Sequence, residues 1–166
     1  MHKAGKCVTR LFFTQRAQIN EKMMAFSLFL FSASALAIPN IWTSGFGQGF
    51  IEYGISNDTG VTVVVACNVG ADPEDYENSI DHSIDISAGD HEVEGQIEFL
   101  IDDEAYFVPD STKNRAGAAA WINLTEALSK AAEFKVYSDN KVVGEFKPNK
   151  KNVKKVLGDG MCAPLF

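Results

Sequence analysis

Between Asp72 and Asp110 the chain carries 14 Asp and Glu residues and no Lys or Arg in 39 positions. Carboxylates at this density can hold a hard cation, work as an acid–base pair, attract a basic partner, or simply keep the chain in solution. Spacing narrows the choice. A calcium loop needs oxygen ligands at alternate positions of a D-x-D-x-D-G turn, and that pattern is missing. Ile80, Ile84 and Ile86 alternate with Asp81, Ser83 and Asp85, which puts Asp81 and Asp85 on the polar face of a strand. Val93, Ile97, Phe99 and Ile101 alternate with Glu94, Gln96 and Glu98, which does the same for Glu94 and Glu98. If these strands pair, one sheet carries a negative face of Asp81, Asp85, Glu94 and Glu98, at the cost of mutual repulsion. Those four residues form the candidate partner-binding set, and the partner they suit is a basic protein.

The other reactive residues do not converge. His82 shares the parity of Ile80 and Ile84 and is expected to face the core or lie at an edge, while His91 sits in the turn Gly89-Asp90-His91-Glu92 and is expected in solvent. A zinc site needs three or four ligands, and no spacing here supplies them. Ser83, Ser87 and Asp85 cannot build a triad with His82, because neighbours on one strand point to opposite faces. Gly45-Phe46-Gly47-Gln48-Gly49 looks like a phosphate loop, but such a loop follows a strand and opens a helix. This one leads into a strand and reads as a flexible lead-in. No catalytic residue, metal site or cofactor is expected.

Residues 23–37 form an apolar run ending in Ala35-Leu36-Ala37, preceded by five basic residues and only one acid. That order is a secretory signal with an A-x-A cleavage site, and the run is shorter than the roughly 20 residues a bilayer span needs. The expected division is a signal peptide at 1–37 and a single exported domain at 38–166. Translation starting at Met23 or Met24 is the alternative to an unusually long basic lead. The 38–166 portion has 10 Lys and Arg against 21 Asp and Glu, a charge of −11 that argues against nucleic acid and anionic membrane surfaces. Cys67 and Cys162 are the two cysteines left, an even pair in an oxidising compartment, and a disulfide between them is expected.

The elements that would position these groups are mostly strands. Ile51, Tyr53 and Ile55 alternate with polar or small residues, Asn57-Asp58-Thr59-Gly60 turns the chain, and Val61 to Cys67 is apolar on both faces, as in a central strand. Asp72 to Asn78 reads as an acidic loop. Asp102-Asp103 turns the chain into Tyr106 to Val108. Trp121, Leu124, Leu128 and Ala131 repeat at helical spacing, with Asn123 three residues before Glu126 as the expected N-cap. Ala116 to Ile122 fits either a strand or the start of that helix. Phe134 to Val136 and Val142 to Phe146 flank the turn Ser138-Asp139-Asn140-Lys141, and Lys150 to Leu157 reads as a basic helix stopped by Gly158. The fold expected is mainly β with one or two short helices, a β-sandwich or partly open barrel clipped by one disulfide.

The segment from Phe134 to Cys162, a Phe-x-Val hairpin followed by a short helix and a cysteine, resembles the end of the invasion-associated locus B proteins. The resemblance implies a periplasmic β-sandwich and carries no functional residue across. Compartment, size and charge together point to a periplasmic or secreted, non-enzymatic protein-binding domain. An inhibitor or immunity-type protein facing a basic cell-wall-acting enzyme fits that description. An envelope accessory or small-ligand carrier, and more remotely a small hydrolase, are the alternatives. Six of the ten Lys and Arg of 38–166 fall between Lys141 and Lys155, so the chain is bipolar and a dimer is possible.

Overall fold

The computed structural model describes residues 38–70, 80–158 and 161–162, all within the compact unit Leu36–Phe166. The segment 1–37, expected as a signal peptide, and the stretch Asp72 to Asn78, expected as a loop, lie outside the described residues. Among the described residues nine strands and two helices follow in chain order: β1 Thr43–Gly47, β2 Phe50–Ser56, β3 Val61–Asn68, β4 Ser83–Ala88, β5 His91–Glu92, β6 Ile97–Ile101, β7 Glu104–Phe107, α1 Arg115–Lys130, β8 Phe134–Ser138, β9 Lys141–Phe146 and α2 Lys150–Val156. The strands form two antiparallel sheets, one ordered β1-β2-β3-β4-β5 and the other β7-β6-β8-β9. The fold is mainly β and the sheets do not close into a barrel.

Tight turns set the registers. The two-residue loops Gln48-Gly49, Asp102-Asp103 and Asp139-Asn140 all take positive φ at both positions, the type I′ geometry whose twist matches that of the strands it joins. Each strand then sends alternate residues inward. Val61, Val63, Val65 and Cys67 of β3 are fully or nearly fully buried, and Ile55, Ile86, Phe99, Ile101, Phe134, Val136 and Phe146 join them in one core. Phe134 is its aromatic centre, stacked on Phe146 at 4.7 Å and against Trp42 at 6.3 Å.

The helical repeat resolves the open stretch Ala116 to Ile122, which belongs to α1. The helix begins earlier than expected. Its N-cap is Asn114, whose side chain accepts from the Gly117 N–H at 2.9 Å, while Asn123 lies inside the helix. Trp121, Leu124 and Leu128 form its buried stripe.

Two further expectations change. Gly45–Gly49 is no loose lead-in, since β1 and a hairpin turn occupy it, and the preceding Trp42 is buried to 1% exposure. The alternation from Val93 to Ile101 is broken in the middle. β5 stays in the first sheet, Gly95 turns at φ +107° against Ser138 and Asp139, and β6 begins the second sheet. A Cβ at Gly95 would lie 2.6 Å from the Asp139 carboxylate, so both space and φ require glycine there.

Candidate functional site

Cys67 at the end of β3 and Cys162 beyond α2 are joined by a disulfide, with Cα atoms 5.4 Å apart. The bond fastens the C-terminal segment to the central strand of the first sheet.

The four acids singled out by strand parity are not gathered by strand pairing. β4 pairs with β3 and β5, whereas β6 pairs with β7 and β8. Asp85 projects exposed from β4, opposite Val64. Glu98 sits half-buried on β6 between Phe107 and Tyr137. Glu94 is exposed in the connection between sheets, where its backbone carbonyl accepts from the Ser138 hydroxyl at 2.6 Å.

Asp81 has a different task. It precedes β4, and its carboxylate accepts from the Thr112 backbone N–H at 2.7 Å, the Thr112 hydroxyl at 2.8 Å and the Ser111 hydroxyl at 3.2 Å. Burial pushes its pKa up, but the Thr112 and Ser111 hydrogen bonds, with the charge of Lys113, outweigh that and hold it below the ordinary carboxylate value. Next to it, His82 is buried as expected. Its Nδ1 accepts from the Asn68 backbone N–H at 2.9 Å, its backbone N–H donates to the Thr112 hydroxyl at 3.1 Å, and its ring stacks on Trp121 at 5.4 Å. Asp81 and His82 therefore tie the Ser111–Asn114 loop, and with it the start of α1, to the first sheet. His91 is exposed, as expected of a turn residue.

Three consecutive exposed acids lie elsewhere, at the tip of the β6–β7 hairpin. Asp102 and Asp103 are adjacent, exposed, and held at φ +50° and +65° by the turn. Glu104 follows and accepts from the Tyr106 phenol at 2.8 Å, and that bond, with burial and the charges of Glu104 and Asp102, raises the phenol's pKa so that it stays protonated. Two grooves flank the tip. One, of about 280 Å³, has Leu100, Phe134 and Phe146 among its lining beside Asp102, Asp103 and Glu133, and Lys135 and Lys147 line it too. The other, of about 550 Å³, runs between the hairpin and α1, lined by Ile101, Tyr106 and Ala127 with Glu104 and Glu126. Lys135 pairs with Glu145 at 2.9 Å and Lys130 with Glu126 at 3.6 Å, and no ion pair engages Asp102 or Asp103 among the described residues. Sequence reasoning read Asp102-Asp103 as a turn and missed it as a charged tip. The available signal was the choice of two acids where a type I′ turn is best served by Asn-Gly.

Among the described residues, no three or more His, Cys, Asp or Glu side chains gather as a metal site, and no helix is long and apolar enough to cross a membrane. Fold and site together define a disulfide-clipped, two-sheet domain with a charged hairpin tip. Residues 40–157 match the YfjT family model, and the chain belongs to that family. It is similar to the uncharacterized protein YkfB of Escherichia coli (strain K12), 30% identical over 149 residues that cover 86% of this chain and 94% of that one. It is also similar to the uncharacterized protein YfjT of the same strain, 32% identical over 132 residues, 76% of this chain and 83% of that one. No solved structure matches.

Proposed function

We propose that this protein is an exported, non-enzymatic binding domain whose Asp102–Asp103 tip and flanking grooves receive a basic segment of another protein. The observation that carries the reading is the turn itself. Both residues need positive φ, which Asn-Gly adopts at least cost, yet the chain places two carboxylates there, and among the described residues no ion pair engages them. The charge is therefore an addition that the turn does not require. Of the groove residues, the partly exposed Leu100 on one side and Tyr106 and Ala127 on the other offer a basic segment a place to rest its aliphatic stems. The partner class that fits is a cationic envelope enzyme, with the protein acting as its inhibitor or immunity factor.

Export supports the same reading. The basic-then-apolar order of residues 1–37, its A-x-A end and the Cys67–Cys162 bond suit an oxidising compartment. N-terminal sequencing of the periplasmic form should begin at Ile38.

The test replaces Asp102-Asp103 by Asn-Gly, which removes two charges and improves the turn. Binding to a purified cationic muramidase should weaken about tenfold through the association rate, with a shallower salt dependence, while the melting temperature holds or rises. Unchanged affinity and salt dependence for the Asn-Gly variant would overturn the proposal.

A further inference from the structure

The free edge of the first sheet is built in a way that fixes what can pair with it. β1 is an edge strand, and every residue from Thr43 to Gly47 is exposed. Its hairpin with β2 closes on Gln48-Gly49, with Gly47 opposite Phe50. In a two-residue hairpin the pair flanking the loop is hydrogen-bonded, and bonded pairs then alternate. Gly47, Gly45 and Thr43 therefore spend their N–H and C=O groups on β2, whereas Phe46 and Ser44 aim theirs away from the sheet.

Trp42 continues that alternation, and its outward groups are taken. The Asn152 side chain accepts from the Trp42 N–H at 2.7 Å and donates to its C=O at 2.9 Å. One amide thus stands in for a neighbouring strand at this position. The edge is stopped at Trp42 and open at Ser44 and Phe46, whose backbone groups have no partner among the described residues. The usual devices that protect an edge, a lysine, a proline or a bulge, do not occur in Thr43–Gly47. Phe46 is 74% exposed, at the end of the row that runs through Ile51 and Cys67.

We infer that β1 pairs antiparallel with β1 of a second copy, about a two-fold axis at Gly45. In this register Ser44 faces the partner's Phe46 and Phe46 faces the partner's Ser44, which uses all the open groups in four hydrogen bonds. A shift of two residues in one direction meets Trp42, already held by Asn152. A shift in the other meets Gln48, which is bent into the turn at φ +52°. Only the Gly45-centred register satisfies the whole edge. The two Gly45 residues form the close pair, where neither brings a side chain, and nothing in the protomer lies within 4 Å of a Cβ built there. The two Phe46 rings become diagonal neighbours and cover each other.

The edge itself carries no charge that repels a second copy. Thr43–Gly47 has no ionisable side chain, and Glu52 is the nearest acid across the ladder, opposite Gly45. Two Glu52 carboxylates would be separated by three strand spacings, about 14 Å, beyond the Debye length of about 8 Å at physiological salt. The dimer is therefore insensitive to salt or strengthened by it, the opposite of binding to a basic partner.

Sedimentation velocity on the chain in the form its host accumulates should show a concentration-dependent dimer. Ser44→Pro removes only an outward N–H, so it should weaken dimerisation about tenfold with an unchanged melting temperature. Gly45→Cys should cross-link spontaneously into a covalent dimer on oxidation, because close pairs put Cα atoms within disulfide range, and Thr43→Cys should not. A wild-type protein that stays monomeric into the high-micromolar range overturns the inference. So does a dimer that Ser44→Pro leaves intact, or one that fails to cross-link through Gly45→Cys.

Discussion

Asn152 and Trp42, 110 residues apart, are joined by a pair of hydrogen bonds in which one side-chain amide satisfies both backbone groups of the indole residue. The pairing sets α2 against the strand edge and holds Trp42 where its ring meets Phe134. Asn149 begins the same helix by accepting from the N–H groups of Lys151 and Asn152, so the cap also orients the clamp.

Asn152→Ala should destabilise the protein by about 1–3 kcal/mol, because two part-buried backbone groups lose their partners together. The expected signature is a lower urea midpoint at an unchanged slope. Asn152→Asp keeps the acceptor for the N–H but sets a carboxylate against the Trp42 carbonyl, and it should recover little of that loss.

Asp81→Asn should cost about 1 kcal/mol near neutral pH, since three donors exchange a charged acceptor for a neutral amide oxygen at a site that solvent partly screens. The pH dependence has a definite sign. The folded-state pKa lies below the ordinary carboxylate value, so the contribution of Asp81 is complete above that ordinary value and disappears as pH falls through the folded one. Melting temperatures from pH 7 downward should therefore converge for wild type and Asp81→Asn in acid. Parallel curves would show that Asp81 contributes nothing through its charge.

Gly117→Ala tests a conflict between propensity and space. In an exposed helix the change stabilises by about 1 kcal/mol. Here the added Cβ would run into the Ser111 backbone carbonyl, which the Asp81 and Thr112 bonds keep in place. The variant should be less stable than wild type, and Asp81→Asn, by loosening that loop, should reduce the difference.

Cys162→Ser should lower stability by about 2–5 kcal/mol, the range for losing a bond that closes a long loop. Matched denaturation of oxidised wild type, reduced wild type and the variant should place the last two together.

Local pattern made the strands and their inward faces legible, because alternation at β2, β3, β4 and β6 and the turn pairs between them are properties of adjacent residues. The N-cap of α1 was not. Asn114 and Asn123 both precede helix-forming residues, and the choice rests on the Ser111–Thr112 loop, fixed by Asp81 from 31 positions upstream. The acidic face failed for the same reason. Parity correctly sends Asp85 outward, but whether its strand meets that of Glu98 depends on pairing between distant segments, and β6 chose β8. Gly95 was the available hint, a glycine inside an otherwise regular alternation that marks the sheet change.

The clip between Cys67 and Cys162 spans 95 residues, which include β4 to β9 and both helices. Thiol status is thus a covalent record that synthesis has passed Cys162. A chain stopped short of that residue keeps an unpaired thiol on β3, where the oxidised protein has none. Once closed, the bond also changes what a single cut can do. A nick anywhere between the two cysteines leaves both pieces joined, so the molecule runs as one species until it is reduced and as two afterwards. One pair of gel lanes, with and without reductant, therefore reports both whether the bond has closed and whether the chain has since been cut.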